Sequence, residues 1–214
     1  MKTLVIIGAG GHGRVVADCA QQLNTYQKIV FLDDSFKETK HSGEWQIVDE
    51  IKSFPNYINS SDFIVAIGNN RLRGKIFEQL NNANASIVSL IHPSAVVSPN
   101  STIGKGVIVC ANAVVNIGAQ IADGCIINTG ATVDHDCVLA ENVHISPGVN
   151  IAGGVSIAKF SWLGIGSTVI ERLTFAENTQ IGAGAVVTQS TQANSLYLGV
   201  PAKRVRALTN IQQD

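Results

Sequence analysis

From Ile91 to Val187 the chain carries an Ile, Val, Leu or Phe at every sixth residue, through seventeen positions without a break. The series runs Ile91, Val97, Ile103, Val109, Val115, Ile121, Ile127, Val133, Leu139, Ile145, Ile151, Ile157, Leu163, Val169, Phe175, Ile181 and Val187. A short fixed period is the mark of a repeat architecture. Six matches neither the 3.6 of an α-helix nor the 2 of an alternating strand. It matches three short strands per turn, each unit making one corner of a triangular prism. Four residues after most members sits a small residue, among them Ala95, Ser101, Ala113, Ala119, Cys125, Ala131, Cys137, Ser161, Ser167, Thr179 and Ala185. The large residue fills the interior and the small one lets the chain bend.

Residues 1–90 read differently. An apolar strand at Thr3–Ile7 precedes a glycine loop and a helical pattern reaching about Asn24. Further strands are expected at Ile29–Leu32, Phe63–Ile67 and near Ser86–Leu90, with a second helix from Arg71 to Asn81 and a loop at Lys37–Gly43. Alternation of this kind predicts a small parallel α/β sheet. The organisation is therefore an α/β domain over 1–90, the repeat over 91–192 and a tail over 193–214.

Composition removes several function classes. The formal net charge is −1, with 15 Lys and Arg against 16 Asp and Glu; that leaves no footprint for nucleic acid. No apolar run approaches a membrane span, and the N-terminus is too rich in glycine for a signal peptide. A cytoplasmic protein is expected. Cys19, Cys110, Cys125 and Cys137 show no metal or disulfide spacing, so neither is expected.

Gly8, Gly10 and Gly13 space a G-x-G-x-x-G loop between strand and helix, with Asp33 twenty residues beyond. Such loops bring backbone N–H groups and a helix N-terminus against a diphosphate. Three readings stay open: a nicotinamide cofactor, another diphosphate-linked nucleotide, or a structural turn. About 90 residues form only one mononucleotide-binding half, which argues against the first. His12, the Asp33-Asp34 pair and Gly68-Asn69-Asn70 end on one sheet edge, where open α/β sheets bind ligands.

In Val133-Asp134-His135-Asp136-Cys137, the first and last residues point inward, so His135 and Asp136 occupy an outward corner. A histidine beside a carboxylate has the ingredients of a general base. The alternatives are a surface histidine or an acidic metal site, and neighbours along one corner rarely converge on one ion. His144, nine residues on, lies half a turn round the prism. It can share a site with His135 only across a subunit interface or a groove.

The segments IIGAGGHGRVV, FLDD, AIGNN, DHD and GVPAK together resemble the PglD-type nucleotide-sugar acetyltransferases, also called the sialic acid O-acetyltransferase (NeuD) type, over residues 2–206. The resemblance implies a small Rossmann-like domain followed by a left-handed parallel β-helix, assembled as a homotrimer. It implies transfer of acetyl from acetyl-CoA to the 4-amino group of a UDP-4-amino-sugar, on the route to bacillosamine-containing glycans, with no metal. By the same resemblance His135 is the catalytic base and Asp136 its acidic neighbour, often a glutamate in the family. Gly10, Gly11, His12, Gly13, Asp33, Asp34, Ala66, Gly68 and Asn69 are implied to bind the nucleotide sugar. His144, Gly153, Gly164, Ile165 and Ala183 are implied to hold acetyl-CoA, with Pro201 and Lys203 in the segment that closes over it. Direct attack without an acyl-enzyme is expected. The rivals are a sugar O-acetyltransferase, a GDP- or dTDP-4-amino-sugar N-acetyltransferase, a non-catalytic scaffold and an NAD oxidoreductase.

Overall fold

A computed structural model describes residues 2–208. The first unit is a sheet of six strands: β1 (Thr3–Ile7), β2 (Lys28–Leu32), β3 (His41–Ser42), β4 (Trp45–Asp49), β5 (Ser61–Val65) and β6 (Ser86–Ile87), in the order β3-β4-β2-β1-β5-β6. All neighbours run parallel except β3 against β4. The central strands are continuous apolar runs because both faces are covered. Leu4 and Ile6 pack under helix α1 (Gly11–Gln22), whereas Val5 and Ile7 pack with Ile76 and Leu80 of helix α2 (Asn70–Asn82). The expected loop over 37–43 instead ends in the hairpin of β3 and β4, and β4 joins β2 as an added strand.

From Leu90 to Val187 the chain winds as a three-sided parallel column of strands that are nearly all two residues long. Each strand pairs with the one eighteen residues later, as in Val115↔Val133 and Ile126↔His144. The second residue of each pair points inward, and from Val109 onward all fourteen remaining members of the six-residue series are buried. Each such side chain contributes about 1.5–3 kcal/mol on leaving water, so the column carries a continuous core of its own. Ile91, Val97 and Ile103 are only partly covered because they lie at the open end.

A second series of period six runs beside the first. Every sixth residue from 106 to 184, fourteen in all, has a positive φ. Glycine fills eight of these positions and asparagine three (Asn112, Asn142, Asn178); the others are Asp136, Phe160 and Arg172. Each corner needs one left-handed residue, where glycine carries no Cβ penalty and asparagine the next smallest.

The outward residues of one face form the column Leu90, Ile108, Ile126, His144, Trp162 and Gln180. The first three are apolar and buried, packed with Val16, Ala17 and Cys19 of α1. The α/β unit thus sits on the first coils of this face, and α2 reaches as far as the corner at Phe160 and Ser161. Beyond the column, Ser195–Leu198 continues the same face and Lys203–Ala207 returns antiparallel to it. Of the 193–214 tail, residues 209–214 lie outside the described residues.

Candidate active site

Two clusters contain most of the candidate residues, and they occupy different edges of the column. The first surrounds His135, on the corner between the other two faces. His135 Nδ1 lies 2.9 Å from Asp136 Oδ2. Asp136 sits in the left-handed conformation at φ 57°, which turns its carboxylate back onto the ring. Asp134 accepts the His135 backbone N–H at 2.7 Å and is itself held by Asn116 Nδ2 at 2.7 Å. Both His135 and Asp136 are exposed. The bond to Asp136, with the charges of Asp134 and Asp136, raises the His135 pKa above its ordinary value, while Arg172 acts in the opposite sense. The imidazole lies over Gly153 in the next coil, where a Cβ would overlap Cε1 and Nε2. Gly153 therefore lies against His135, on a different corner from Gly164, Ile165 and Ala183.

The second cluster forms where the α/β unit meets the column. The ring of His12 lies 6.3 Å from that of His144, which stacks at 6.1 Å on Trp162. Sequence reasoning assigned these histidines to separate ligands; docking of α1 on the face puts them side by side. Burial holds His12 down to about 4, aided by the Arg73 charge, and His12 Nε2 is enclosed without a partner. Burial likewise holds His144 down to about 3, with Arg73 and His12 adding and the bond to the Gly68 carbonyl opposing. Both rings are neutral at ordinary pH.

Arg73 was not anticipated. It is 1% exposed and, among the described residues, has no carboxylate partner. Nε donates to the Gly124 carbonyl at 2.7 Å, and Nη1 to those of Ile67 and Gly68 at 2.9 and 3.2 Å. Nη2 donates to Asn70 Oδ1 at 2.7 Å and the Asn142 carbonyl at 2.9 Å. Asn70 Nδ2 in turn reaches the carbonyls of Phe160 and Ser161. This one guanidinium ties the β5–α2 loop to two coils of the column. The only signal in the sequence was an arginine on a helix face that also carries Ile76, Phe77 and Leu80.

The glycine loop is braced from within. Asp33 accepts the Ala9 N–H at 2.7 Å and both the N–H and hydroxyl of Ser35. Burial alone would raise its pKa, but these bonds outweigh it and hold the carboxyl below the ordinary value. A Cβ at Gly13 would strike the Gly8 carbonyl, which explains that glycine as packing. Gly10 caps α1 with no side chain, and the space beside Gly10 and Gly11 is open; unpaired helix N–H groups there can take an anion. Asp34 is exposed and accepts the Ile51 N–H at 3.2 Å. Ala66 is buried and Gly68 exposed at the neighbouring strand end, where Asn69 caps α2 through Leu72 N–H.

Gly164 is buried because a Cβ would meet the backbone of Ile181 and Ala183. Ile165 and Ala183 are exposed on the same corner, and the turn bearing Pro201 docks above them through the Ala202 N–H to Val186. Lys203 is exposed at the start of the final strand. Among the described residues no cluster of His, Cys, Asp and Glu could hold a metal, and no helix is long and apolar enough to cross a membrane.

The PglD N-terminal domain family matches residues 3–80. The acetyltransferase domain of PglB from Neisseria gonorrhoeae FA1090 is 39% identical with a TM-score of 0.92, covering 96% of this chain and 100% of that one. The chain belongs to the PglD-type acetyltransferase family. Its column is accordingly the left-handed parallel β-helix of that family. PerB from Caulobacter crescentus, solved with CoA and GDP-perosamine, is 37% identical with a TM-score of 0.91, covering 96% of this chain and 98% of that one. A UDP-N-acetylbacillosamine N-acetyltransferase from Bacillus subtilis is 33% identical over 114 residues, 50% of this family member and 51% of the relative. The chain thus spans about half the length of that curated relative.

Proposed function

We propose that this protein transfers acetyl from acetyl-CoA to the 4-amino group of a UDP-linked 4-amino-4,6-dideoxy sugar, with His135 as general base. The observation that carries this is the His135–Asp136 pair, exposed on a corner and floored by a glycine. The sugar ammonium sheds a proton to solvent before binding. His135 takes the second as the amine nitrogen bonds to the thioester carbon. When the C–S bond breaks, the imidazolium returns its proton to the leaving CoA sulfur, so charge and protons balance. Asp136 keeps the ring oriented and stabilises its charged form.

Direct transfer fits the cysteines. Cys125 and Cys137 point into the column core, donating to the carbonyls of Ala140 and Ala152. Burial pushes the thiols of Cys19, Cys110 and Cys125 up to about 11, 12 and 12 and raises that of Cys137, so none supplies a thiolate nucleophile.

A homotrimer in the cytoplasm completes the reading. His135 and the His12–His144 seam lie on different edges of one chain, so one substrate can touch both only where two copies meet. Ile117 and Val138, 57% and 41% exposed, flank His135 with apolar surface suited to such a contact. The glycine loop of one subunit and the edge bearing Ile165, Ala183, Pro201 and Lys203 would then hold nucleotide sugar and CoA beside the neighbour's His135.

The test is a screen of UDP-, GDP- and dTDP-linked 4-amino sugars and a hydroxyl sugar with acetyl-CoA, following thiol release. Release with the UDP amine above the others supports the proposal. Preference for the GDP amine would favour the second reading, which the likeness to PerB motivates. Turnover of the hydroxyl sugar alone would make the protein an O-acetyltransferase. In the active system His135→Ala should lose about 10²–10⁴ in kcat, the range of general-base catalysis.

A further inference from the structure

The fourteen left-handed corners hold glycine or asparagine except at Asp136, Phe160 and Arg172. Two of the exceptions have visible work. Asp136 turns its carboxylate onto His135, and Phe160 gives its carbonyl to Asn70 while its ring lies against α2 at Gly74. Non-glycine residues persist in this conformation where the surroundings or the function hold them there. Arg172 has no such structural employment. Its guanidinium makes no hydrogen bond or ion pair among the described residues.

The backbone aims it at one place. Arg172 N–H donates to the Gly153 carbonyl at 3.0 Å, and Gly154 N–H to the His135 carbonyl at 2.9 Å. Arg172 thus stands two coils above Asp136 on the corner that carries His135. Its Cγ lies 3.4 Å from where a Cβ of Gly154 would be, so the side chain descends over that glycine.

We propose that Arg172 is a positioning residue of the acyl-transfer edge, whose cation, reaching over Gly154 on the corner of His135, opposes in part the hold of Asp134 and Asp136 on the imidazole. This rests on His135 being the base. The charged neighbours of the imidazole are Asp134 and Asp136 from its own turn and Arg172 from above, with Gly153 and Gly154 between. Glu171, beside Arg172 on the same corner, is exposed, and the coil below brings the uncharged Asn116, Ile117 and Gly118. The two aspartates favour the imidazolium and Arg172 disfavours it. A left-handed arginine costs backbone strain that glycine would relieve, so its retention on this corner points to a role in the chemistry.

The experiment compares the whole protein with Arg172→Gln, Arg172→Lys and Arg172→Gly. His135 is titrated by NMR of labelled histidine without ligands, and the acid limb of kcat/KM is recorded in parallel. In Arg172→Gln both midpoints should move to higher pH, and kcat/KM on the acid limb should fall about two- to fourfold, the scale of exposed charge interactions. Arg172→Lys should restore both. Arg172→Gly should share the displaced limb yet unfold at a higher temperature, separating function from stability. An unmoved His135 titration in Arg172→Gln overturns the proposal. A moved titration with an unmoved acid limb overturns His135 as the base, and leaves the action of Arg172 on the ring standing.

Discussion

The imidazole of His135 fills the space where a Cβ of Gly153, one coil above, would stand. Gly153 lies outside the positive-φ set, so its backbone accepts alanine and only the methyl group is at issue.

Gly153→Ala should therefore fold and melt like the parent while displacing the ring. A shift of about 1 Å in a catalytic group can cost about 10²-fold in rate, and kcat should fall on that scale with little change in KM for acetyl-CoA. Steady-state kinetics beside a thermal melt decide it; a fully active, equally stable variant would show that the ring position is immaterial.

Asp136 is the first cause of the raised His135 pKa. The carboxylate stabilises the imidazolium, so His135 loses its proton at higher pH than an ordinary histidine. The acid limb of kcat/KM should accordingly have its midpoint above 6.5, the ordinary value. In Asp136→Asn that midpoint should move down, since a neutral amide holds the proton less well. A pH–rate profile that moved upward or stayed fixed would detach Asp136 from the base.

Replacing Arg73 by methionine strips donors from four backbone carbonyls and Asn70 at the junction of the two units. Leaving a buried acceptor without its donor costs about 1–3 kcal/mol. Urea unfolding should show a loss of that size. Arg73→Lys should recover little, because an ammonium has three donors and no planar fork. A loss below about 1 kcal/mol would mean that the apolar contacts of α1 and α2 hold the junction unaided.

If the site is shared between copies, His135→Ala and His144→Ala chains should complement each other. Each is inactive alone, but a mixed trimer joins the intact seam of one to the intact base of the other. Random reassembly from equal amounts should return about a quarter of parental activity, because one neighbour pairing in four is intact on both sides. A mixture as inactive as its components would place the whole site within one chain.

Much of this architecture could be read from one dimension. The inward series from Ile91 to Val187 is spaced by backbone geometry alone, and so is the outward placement of His135 and Asp136. The strand–loop–helix of residues 3–22 was equally legible, because apolar runs and glycine spacing are local signals. The hairpin at His41–Asp49 was missed because β3 is only two polar residues and β4 gains its stability by joining β2.

Which residues meet depended on docking. The sequence by itself determined a three-sided column, an α/β unit ahead of it and a histidine–aspartate pair on an outer corner, since each follows from periodicity or adjacency. Only the tertiary structure decided that His12 lies against His144, that Gly153 is the floor of His135, and that Arg73 bonds both units with all its donors. The relations that cross between coils or between units join residues 18 to 132 positions apart, and they arise from how one coil stacks on the next and from the face on which the α/β unit comes to rest.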